Sequence, residues 1–184
     1  MVFNFKIVSD GPENFKREIK IDAQATFLDL KNAICDSVGY DKTMMDSFFI
    51  CDDGWEKRKE ITYEDMDLES DQEAWLMDDA VLEDFIDDTG QKLLYVFDYM
   101  TDRALFMEMT EMIPNKILKD PVCTLSLGNA PKQTIDMDEF DAQIEAKIAK
   151  TLVEDDLDEE FYGSDDYNPD EFDAEGFEEG GFDL

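Results

Sequence analysis

The chain has 184 residues, with 49 Asp or Glu against 16 Lys or Arg, so its formal net charge is −33. A surface this negative repels phosphate backbones, which excludes ordinary DNA or RNA binding and favours basic protein partners. The sequence contains no histidine, which removes Ser-His and Cys-His catalysis and histidine-bound zinc. Hydrophobic residues make up 43% of the chain, which is enough for the core of one domain.

Cys35, Cys51 and Cys123 are odd in number and widely spaced, so they indicate neither a zinc ribbon nor a disulfide framework. We expect them to be small core residues in a reducing compartment. The N-terminal stretch lacks the pattern of a signal peptide, and no apolar run approaches the roughly 20 residues of a membrane helix. The sequence therefore predicts a cytoplasmic protein with no membrane contact.

The first elements in chain order are two strands and a helix. Residues 2–8 and 15–21 both alternate apolar with polar positions, and they are expected to pair as antiparallel neighbours. Thr26 then opens a helix, because Asp29 follows it at the spacing of a capping box. Gly39 ends that helix. Its apolar positions recur at helical spacing at Phe27, Leu30, Ala33, Ile34 and Val38.

The middle of the chain predicts further short elements. Residues 47–51 form a strand that a DDG turn closes, and residues 55–63 are a basic, solvated connection that leads into a short strand. Residues 78–90 predict a short amphipathic helix that ends at Gly90. Residues 92–100 and 103–113 predict the strongest strand pair, joined by a tight turn at 101–102. A shorter strand lies between Pro121 and Pro131, and the apolar spacing from 136 to 152 predicts a last helix.

The C-terminal segment differs sharply in composition, since residues 151–184 hold 15 acids and no Lys or Arg. We therefore predict one domain at 1–152 and an acidic aromatic tail at 153–184. Five rings stand five positions apart in that tail: Tyr162, Tyr167, Phe172, Phe177 and Phe182. A period of five fits neither a helix nor a strand.

Two interpretations of the tail remain open. It is either a disordered, solubilising segment, or a row of aromatic anchors that folds onto a basic, grooved partner. Acid with spaced rings also resembles single-stranded nucleic acid, so the partner class includes nucleic-acid-binding proteins. We expect the tail to dock partly on the domain and to end in a mobile stretch.

Several stretches taken together resemble the plasmid pRiA4b ORF-like family of small bacterial and archaeal proteins. The matching positions are Gly39, Tyr40 and Asp41, then Tyr95, Phe97, Asp98 and Tyr99, then Pro121, Cys123, Gly128, Ala130 and Pro131, and finally YNPDEFDAEGF at 167–177. The chain departs from the family pattern at Met100, Thr101, Arg103, Leu105, Lys132 and Gln133. The mobile-element and regulatory labels of that family rest on gene context. The resemblance therefore implies a fold and carries no reaction over.

The most suggestive single residue is Asp98. A carboxylate among Tyr95, Phe97 and Tyr99 is a candidate for a raised pKa and for an interaction site. The alternative interpretation is that Asp98 bonds to a neighbouring turn or pairs with Arg103 across the hairpin. We favour this alternative, because structural ion pairs also perturb carboxylates.

Two further clusters have plain explanations. The DDG sequence at 52–54 resembles half of a calcium loop, but the residues after it lack the alternate acids that an EF-hand requires, so we interpret it as a turn. Lys57, Arg58 and Lys59 are either a phosphate contact, a receptor for the acidic tail, or a solvated turn, and the last is favoured. Met107 and Met109 are expected in the core, on a face shared with Leu105.

The predicted fold is α+β, with a mainly antiparallel sheet, packed helices and an N-terminal strand order that resembles a β-grasp arrangement. The predicted function is a non-catalytic interaction or regulatory protein that binds a basic protein through its acidic surface and tail. The alternative is an enzyme that uses carboxylates around Asp98 or the Asp52–Asp53 turn, with or without Mg²⁺. No catalytic, metal or cofactor-binding residue is assigned, and no cofactor is expected.

Overall fold

The computed structural model describes residues 1–11, 14–64, 75–135, 141, 142 and 145. The chain divides into two compact units, Met1–Asp136 and Met137–Leu184. In the first unit the elements are β1 (Val2–Ser9), β2 (Lys16–Asp22), α1 (Phe27–Val38), β3 (Ser47–Cys51), β4 (Lys57–Thr62), β5 (Trp75–Leu76), a 3-10 turn (Leu82–Asp84), β6 (Lys92–Asp98), β7 (Arg103–Ile113) and β8 (Val122–Leu127).

The eight strands form a single mixed sheet that is mainly antiparallel. Their order is β5-β4-β3-β6-β7-β1-β2-β8, and only the short β4–β5 pair is parallel. The predicted antiparallel pairing of the first two strands is confirmed, with Phe5 opposite Ile19. Both residues are fully buried, because alternation turns them to the face that α1 covers.

Helix α1 has the predicted ends. The Asp29 N–H donates to Thr26 Oγ1 at 3.2 Å, and the Thr26 N–H donates to Asp29 Oδ2 at 3.0 Å, so the capping box is complete. At the other end Gly39 adopts a φ of 76° and its N–H donates to the Cys35 carbonyl at 2.8 Å. Glycine suits this left-handed position because, without a Cβ, it adopts a positive φ without local backbone strain.

The β6–β7 hairpin is also confirmed, and Asp102 supplies the turn with a φ of 49°. Leu105, Met107 and Met109 are fully buried, as the alternation predicts. The cysteines divide, however: Cys35 and Cys51 are buried, whereas Cys123 is exposed. The expectation that all three cysteines lie in the core is therefore wrong for Cys123, which lies on a strand at the edge of the sheet.

Two predicted elements take other forms. The basic stretch that was expected to be a solvated connection is already strand β4 from Lys57, because it pairs with β3. The helix predicted over 78–90 is a single 3-10 turn. Val81 forms an isolated bridge with Thr26, and the Leu82 N–H donates to the Ala25 carbonyl at 2.9 Å. These bonds hold the backbone extended where a helix would have to begin.

The helices and strands described above do not test the remaining fold predictions. The β-grasp arrangement and the boundary near residue 153 stay predictions. Of the predicted helix at 136–152, Asp141, Ala142 and Glu145 are helical, and its other positions lie outside the described residues. So does the whole tail.

Candidate functional site

Strand β6 separates the four candidate residues that the sequence placed together. Tyr95 and Phe97 are buried, with 0% and 2% of their surface exposed, whereas Tyr99 is 37% exposed at the hairpin turn. Asp98 follows a bulge in the β6–β7 register and is half-buried. Only Asp98 and Tyr99 therefore offer polar groups near the surface.

Asp98 is held by the hairpin that it helps to form. Its Oδ2 accepts hydrogen bonds from Thr101 Oγ1 at 2.6 Å and from Arg103 Nη2 at 2.7 Å, and its Oδ1 accepts from the Met100 N–H at 3.0 Å. Partial burial raises the pKa of the Asp98 carboxyl, but these donors outweigh it, so that the pKa lies below its usual value. The predicted pairing with Arg103 is confirmed, and the raised pKa is wrong.

Arg103 also fastens a later segment of the chain to this hairpin. Its Nη1 donates to the Lys132 carbonyl at 2.8 Å and its Nη2 to the Gln133 carbonyl at 3.0 Å. The guanidinium lies 5.1 Å from the centroid of the Phe97 ring, a cation–π contact. Five donors in a fixed fork allow Arg to serve all these acceptors at once.

The stretches around Tyr40, Phe97 and Pro131 meet in one place, which we call the hairpin corner together with Asp98 and Arg103. The Tyr40 and Phe97 ring centroids lie 5.2 Å apart, and Tyr40 Oη donates to the Pro131 carbonyl at 2.6 Å. Burial raises the pKa of Tyr40, so the hydroxyl remains a donor. All the polar groups of this corner that are described above thus have partners within the chain.

A buried polar network, formed by Lys31, Cys35, Asp46 and Tyr95, was not predicted from the sequence. Lys31 on α1 is 0% exposed, and its Nζ lies 3.0 Å from Asp46 Oδ1 in an ion pair. Tyr95 Oη donates to Asp46 Oδ2 at 2.5 Å and lies 3.5 Å from Cys35 Sγ. The available signal was spacing: Lys31 is four positions from both Phe27 and Cys35, on the apolar stripe of the helix.

The environment of Lys31 explains how a charge is tolerated there. Its Nζ donates to the Met44 carbonyl at 3.2 Å and lies 3.2 Å from the centroid of the Tyr63 ring. Burial raises the pKa of the Asp46 carboxyl, and the donors Tyr95 and Lys31 counter only part of that rise. A buried pair of this kind costs desolvation for both ions, so its worth depends on these extra contacts.

Tyr99 takes part in a small hydrogen-bond network at the end of the sheet where β6 ends and β3 begins. Its hydroxyl lies within hydrogen-bond reach of Ser47 Oγ and donates to Glu60 Oε1 at 3.0 Å. Burial, together with the negative charge of Glu60, raises the pKa of Tyr99 to about 12. Tyr99 is thus a neutral donor near neutral pH.

The basic cluster is engaged by neighbours on β4 and its turn. Lys57 pairs with Asp102 at 3.2 Å, and Arg58 Nη2 pairs with Asp52 Oδ2 at 2.5 Å. Lys59 Nζ lies 5.7 Å from the Trp75 ring centroid. A phosphate site needs several free cations close together, whereas Lys57 and Arg58 are already paired with acids of the chain.

The turn at 52–54 has the predicted form. Asp52 Oδ1 accepts from the N–H groups of Gly54 and Glu56 at 2.9 and 3.0 Å. Those bonds, with Arg58, hold the pKa of Asp52 below its usual value. In the described part of the chain no group of three or more Cys, Asp or Glu is arranged to hold a metal ion.

One surface differs from all of these. The stretch 78–88, which we call the acidic segment, carries six exposed acids and no Lys or Arg. None of the ion pairs formed within the described ranges involves them. The acids are Asp78, Asp79, Glu83, Asp84, Asp87 and Asp88.

The five aromatic residues predicted as anchors in the tail lie outside the described residues. They are Tyr162, Tyr167, Phe172, Phe177 and Phe182.

The comparison with known families decides the relationship. The model of the plasmid pRiA4b ORF-3-like family matches residues 2–176. The chain belongs to this family. The family resemblance seen in the motifs is thereby confirmed, and in this pRiA4b ORF-3-like protein three of those motifs meet at the hairpin corner.

A solved structure supports the fold. The crystal structure of MM3350, a protein of unknown function from Methanosarcina mazei Go1, matches with a TM-score of 0.55 and 20% sequence identity, over 68% of each chain. No curated protein matches the pRiA4b ORF-3-like chain. Among the helices of its described part, none is both long and apolar enough to span a bilayer.

Proposed function

We propose that this pRiA4b ORF-3-like protein is a non-catalytic, regulatory interaction protein of the cytoplasm that binds a basic protein. The acidic segment and the acidic aromatic tail are the binding surfaces. The observation that carries the proposal is the acidic segment, where six exposed acids have no cation in their own stretch of chain. Like charges held together at a surface attract a basic partner and speed its association.

The use of cations elsewhere in the domain supports the same proposal. Seven Lys or Arg side chains of the described ranges form ion pairs, and none of them pairs with an acid of the acidic segment. Lys92, near in sequence, donates to the Asp53 carbonyl at 2.6 Å instead. A partner rich in Lys or Arg, including a nucleic-acid-binding protein, would supply the missing charge.

The alternative of a carboxylate-based enzyme, with or without Mg²⁺, gains no comparable support. Its central residue, Asp98, already accepts hydrogen bonds from Thr101 and Arg103, and these donors compete with a metal ion or a substrate proton for the carboxylate. A melting-temperature series with Mg²⁺, Ca²⁺ and Mn²⁺ tests this alternative, because binding to the folded state raises the melting temperature.

Affinity capture from the host lysate tests the proposal. Four chains are compared: the full chain, a chain truncated after Leu152, a full chain with Asp78, Asp79, Asp87 and Asp88 changed to Asn, and a control. The control neutralises four other exposed acids, Asp10, Glu56, Asp102 and Glu111, so that it has a similar net charge.

We expect the full chain and the control to retain the same basic protein at low salt and to release it at high salt. The acidic-segment variant and the truncated chain should each retain less. Retention that is equal in all four chains, or that ignores salt, contradicts the proposal.

A further inference from the structure

Strand β8 ends the sheet with an open edge. It pairs with β2 and has no partner on its other side within the described residues. Its sequence VCTLSL contains no charge and no proline, and Val122 and Leu127 are 45% and 51% exposed. Proteins usually protect such edges with charges, proline or a covering element, because unpaired N–H and C=O groups accept another strand.

A groove lies beside this edge, between α1 and the start of β8. It has a volume of about 430 Å³. Ala33 and Ser37 of the helix line one side, and Pro121 and Cys123 line the other. A strand edge next to a helix, with a groove between them, is the arrangement to which extended peptides add in β-augmentation.

The groove is acidic and has charge to offer. Asp29, Asp36 and Asp120 line it. Asp29 is held by the helix cap, and Asp36 pairs with Lys42 at 2.6 Å but remains 68% exposed. Asp120 is exposed and forms none of the ion pairs of the described ranges. A Lys or Arg side chain would fit this lining, and an acidic one would be repelled.

Arg17 joins the helix and the strand that border the groove, at the end of each element. It is only 5% exposed, and its Nε donates to the Ser37 carbonyl at the end of α1 at 3.2 Å. Its Nη1 and Nη2 donate to the Leu127 and Gly128 carbonyls at the end of β8, at 2.5 and 3.1 Å. A helix and a strand that are already held together lower the entropy cost of binding beside them.

We propose that β8 accepts an extended segment of a partner protein as a ninth strand, with a Lys or Arg side chain of that segment in the groove. Backbone hydrogen bonds to β8 provide the affinity, and Asp36 and Asp120 select the positive side chain. A second copy of this chain is a poorer occupant, because two chains of net charge −33 repel each other.

This surface is separate in sequence from the acidic segment and the tail. It therefore adds a mode of recognition to the proposed function, and the two can fail separately.

The probe is a phage-displayed library of random octapeptides, selected against the full chain. Enriched peptides are synthesised and their affinity is measured by fluorescence anisotropy. Hydrogen exchange then locates each bound peptide on the chain. We expect the enriched sequences to be strand-forming with Lys or Arg at one position, and to protect backbone amides of Val122–Leu127.

Two charge-matched variants test the groove. Asp36→Asn with Asp120→Asn should weaken peptide binding about tenfold, because the positive side chain of the peptide loses two charge contacts and each contributes part of that loss. Asp10→Asn with Asp53→Asn, two exposed acids that lie outside both the groove and the acidic segment, should leave peptide affinity unchanged. Replacing the basic residue of the peptide by Glu should abolish binding.

Three outcomes overturn the proposal: no peptide is enriched, the bound peptides leave 122–127 unprotected, or both variants weaken binding equally. Analytical ultracentrifugation of the chain alone shows whether a second copy of the chain occupies the edge instead. A dimer in which the amides of 122–127 are protected overturns the proposal in favour of pairing between two copies.

Discussion

The end of the sheet where β3 begins and β6 ends differs from the acidic segment in how its acids are used. At the sheet end, Asp46 and Asp98 each meet a cation and a hydroxyl of the same chain. In the acidic segment six exposed acids form none of the ion pairs of the described ranges. Removing one member of a buried pair destabilises the fold, and the paired acids have little charge left for a partner. Unpaired surface acids can attract a basic partner. We therefore expect substitutions at the sheet end to change stability, and substitutions in the acidic segment to change binding.

The largest effect should come from Asp46→Ala. This change leaves the buried Lys31 ammonium without its anion, which should lower the free energy of unfolding by about 3–5 kcal/mol. Urea denaturation measures the loss. The control Asp36→Ala removes an acid whose pair with Lys42 is largely exposed, and it should cost no more than about 1 kcal/mol.

A double variant separates the pair from its burial. Lys31→Met with Asp46→Leu removes both charges together, so most of the stability lost in Asp46→Ala should return. If the double variant is no more stable than Asp46→Ala, the cost comes from packing, and the ion pair is not its cause.

A smaller loss is expected for Asp98→Ala. Arg103 would keep its carbonyl partners but lose its anion while only 18% of its side chain is exposed, and this should cost about 1–3 kcal/mol. The control is Asp102→Asn in the same turn, which removes the exposed pair with Lys57 and keeps a residue that tolerates the positive φ. Equal losses in the two variants would contradict the special role of the hairpin corner.

The contribution of Asp98 to the free energy of unfolding should also depend on pH. The folded-state pKa of Asp98 lies below the ordinary 3.8, so its contribution is full above pH 3.8 and is lost as pH falls through the folded pKa. The difference in unfolding free energy between the wild type and Asp98→Asn should therefore shrink in acid. Urea titrations at pH 6 to 2 measure it, and a difference that grows in acid would refute the lowered pKa.

The smallest effect on stability is expected in the acidic segment. Changing Asp78, Asp79, Asp87 and Asp88 to Asn should alter the free energy of unfolding by no more than about 0.5 kcal/mol per residue. Any change should be towards higher stability, because like charges are removed. Thermal denaturation at low and high salt checks this, and a large loss of stability would show that these acids have partners within the fold.

Local patterns in the sequence were sufficient for many elements. The first strand pair, the capping box of Thr26 and Asp29, and the β6–β7 hairpin all depend on residues close together in the chain. The pairing of Asp98 with Arg103 belongs to the same class, since a tight turn brings them together. Family membership followed in the same way from short motifs in a fixed order.

Other features depend on residues that are far apart in the chain. The apolar residues of 78–88 have helical spacing, but the bond from Leu82 to Ala25 holds the backbone extended there. Lys31 and Asp46 are both buried, and their contacts with Met44, Tyr63 and Tyr95 come from distant parts of the chain. The spacing of Lys31 on the apolar stripe of α1 indicated burial, but no local pattern indicates Asp46 as its partner. Arg17 likewise joins the end of α1 to the end of β8, although the three segments lie far apart in the chain.

The sequence by itself thus determined the strand alternation, the helix ends, the hairpin turn, the acidic composition and the family. These follow from side-chain periodicity, turn chemistry and charge, which act over a few residues. Only the tertiary structure decided which acids are paired, which cations have partners and which strand edge has no partner among the described residues. Those properties arise from burial and from contacts between distant segments, which no single stretch of residues encodes.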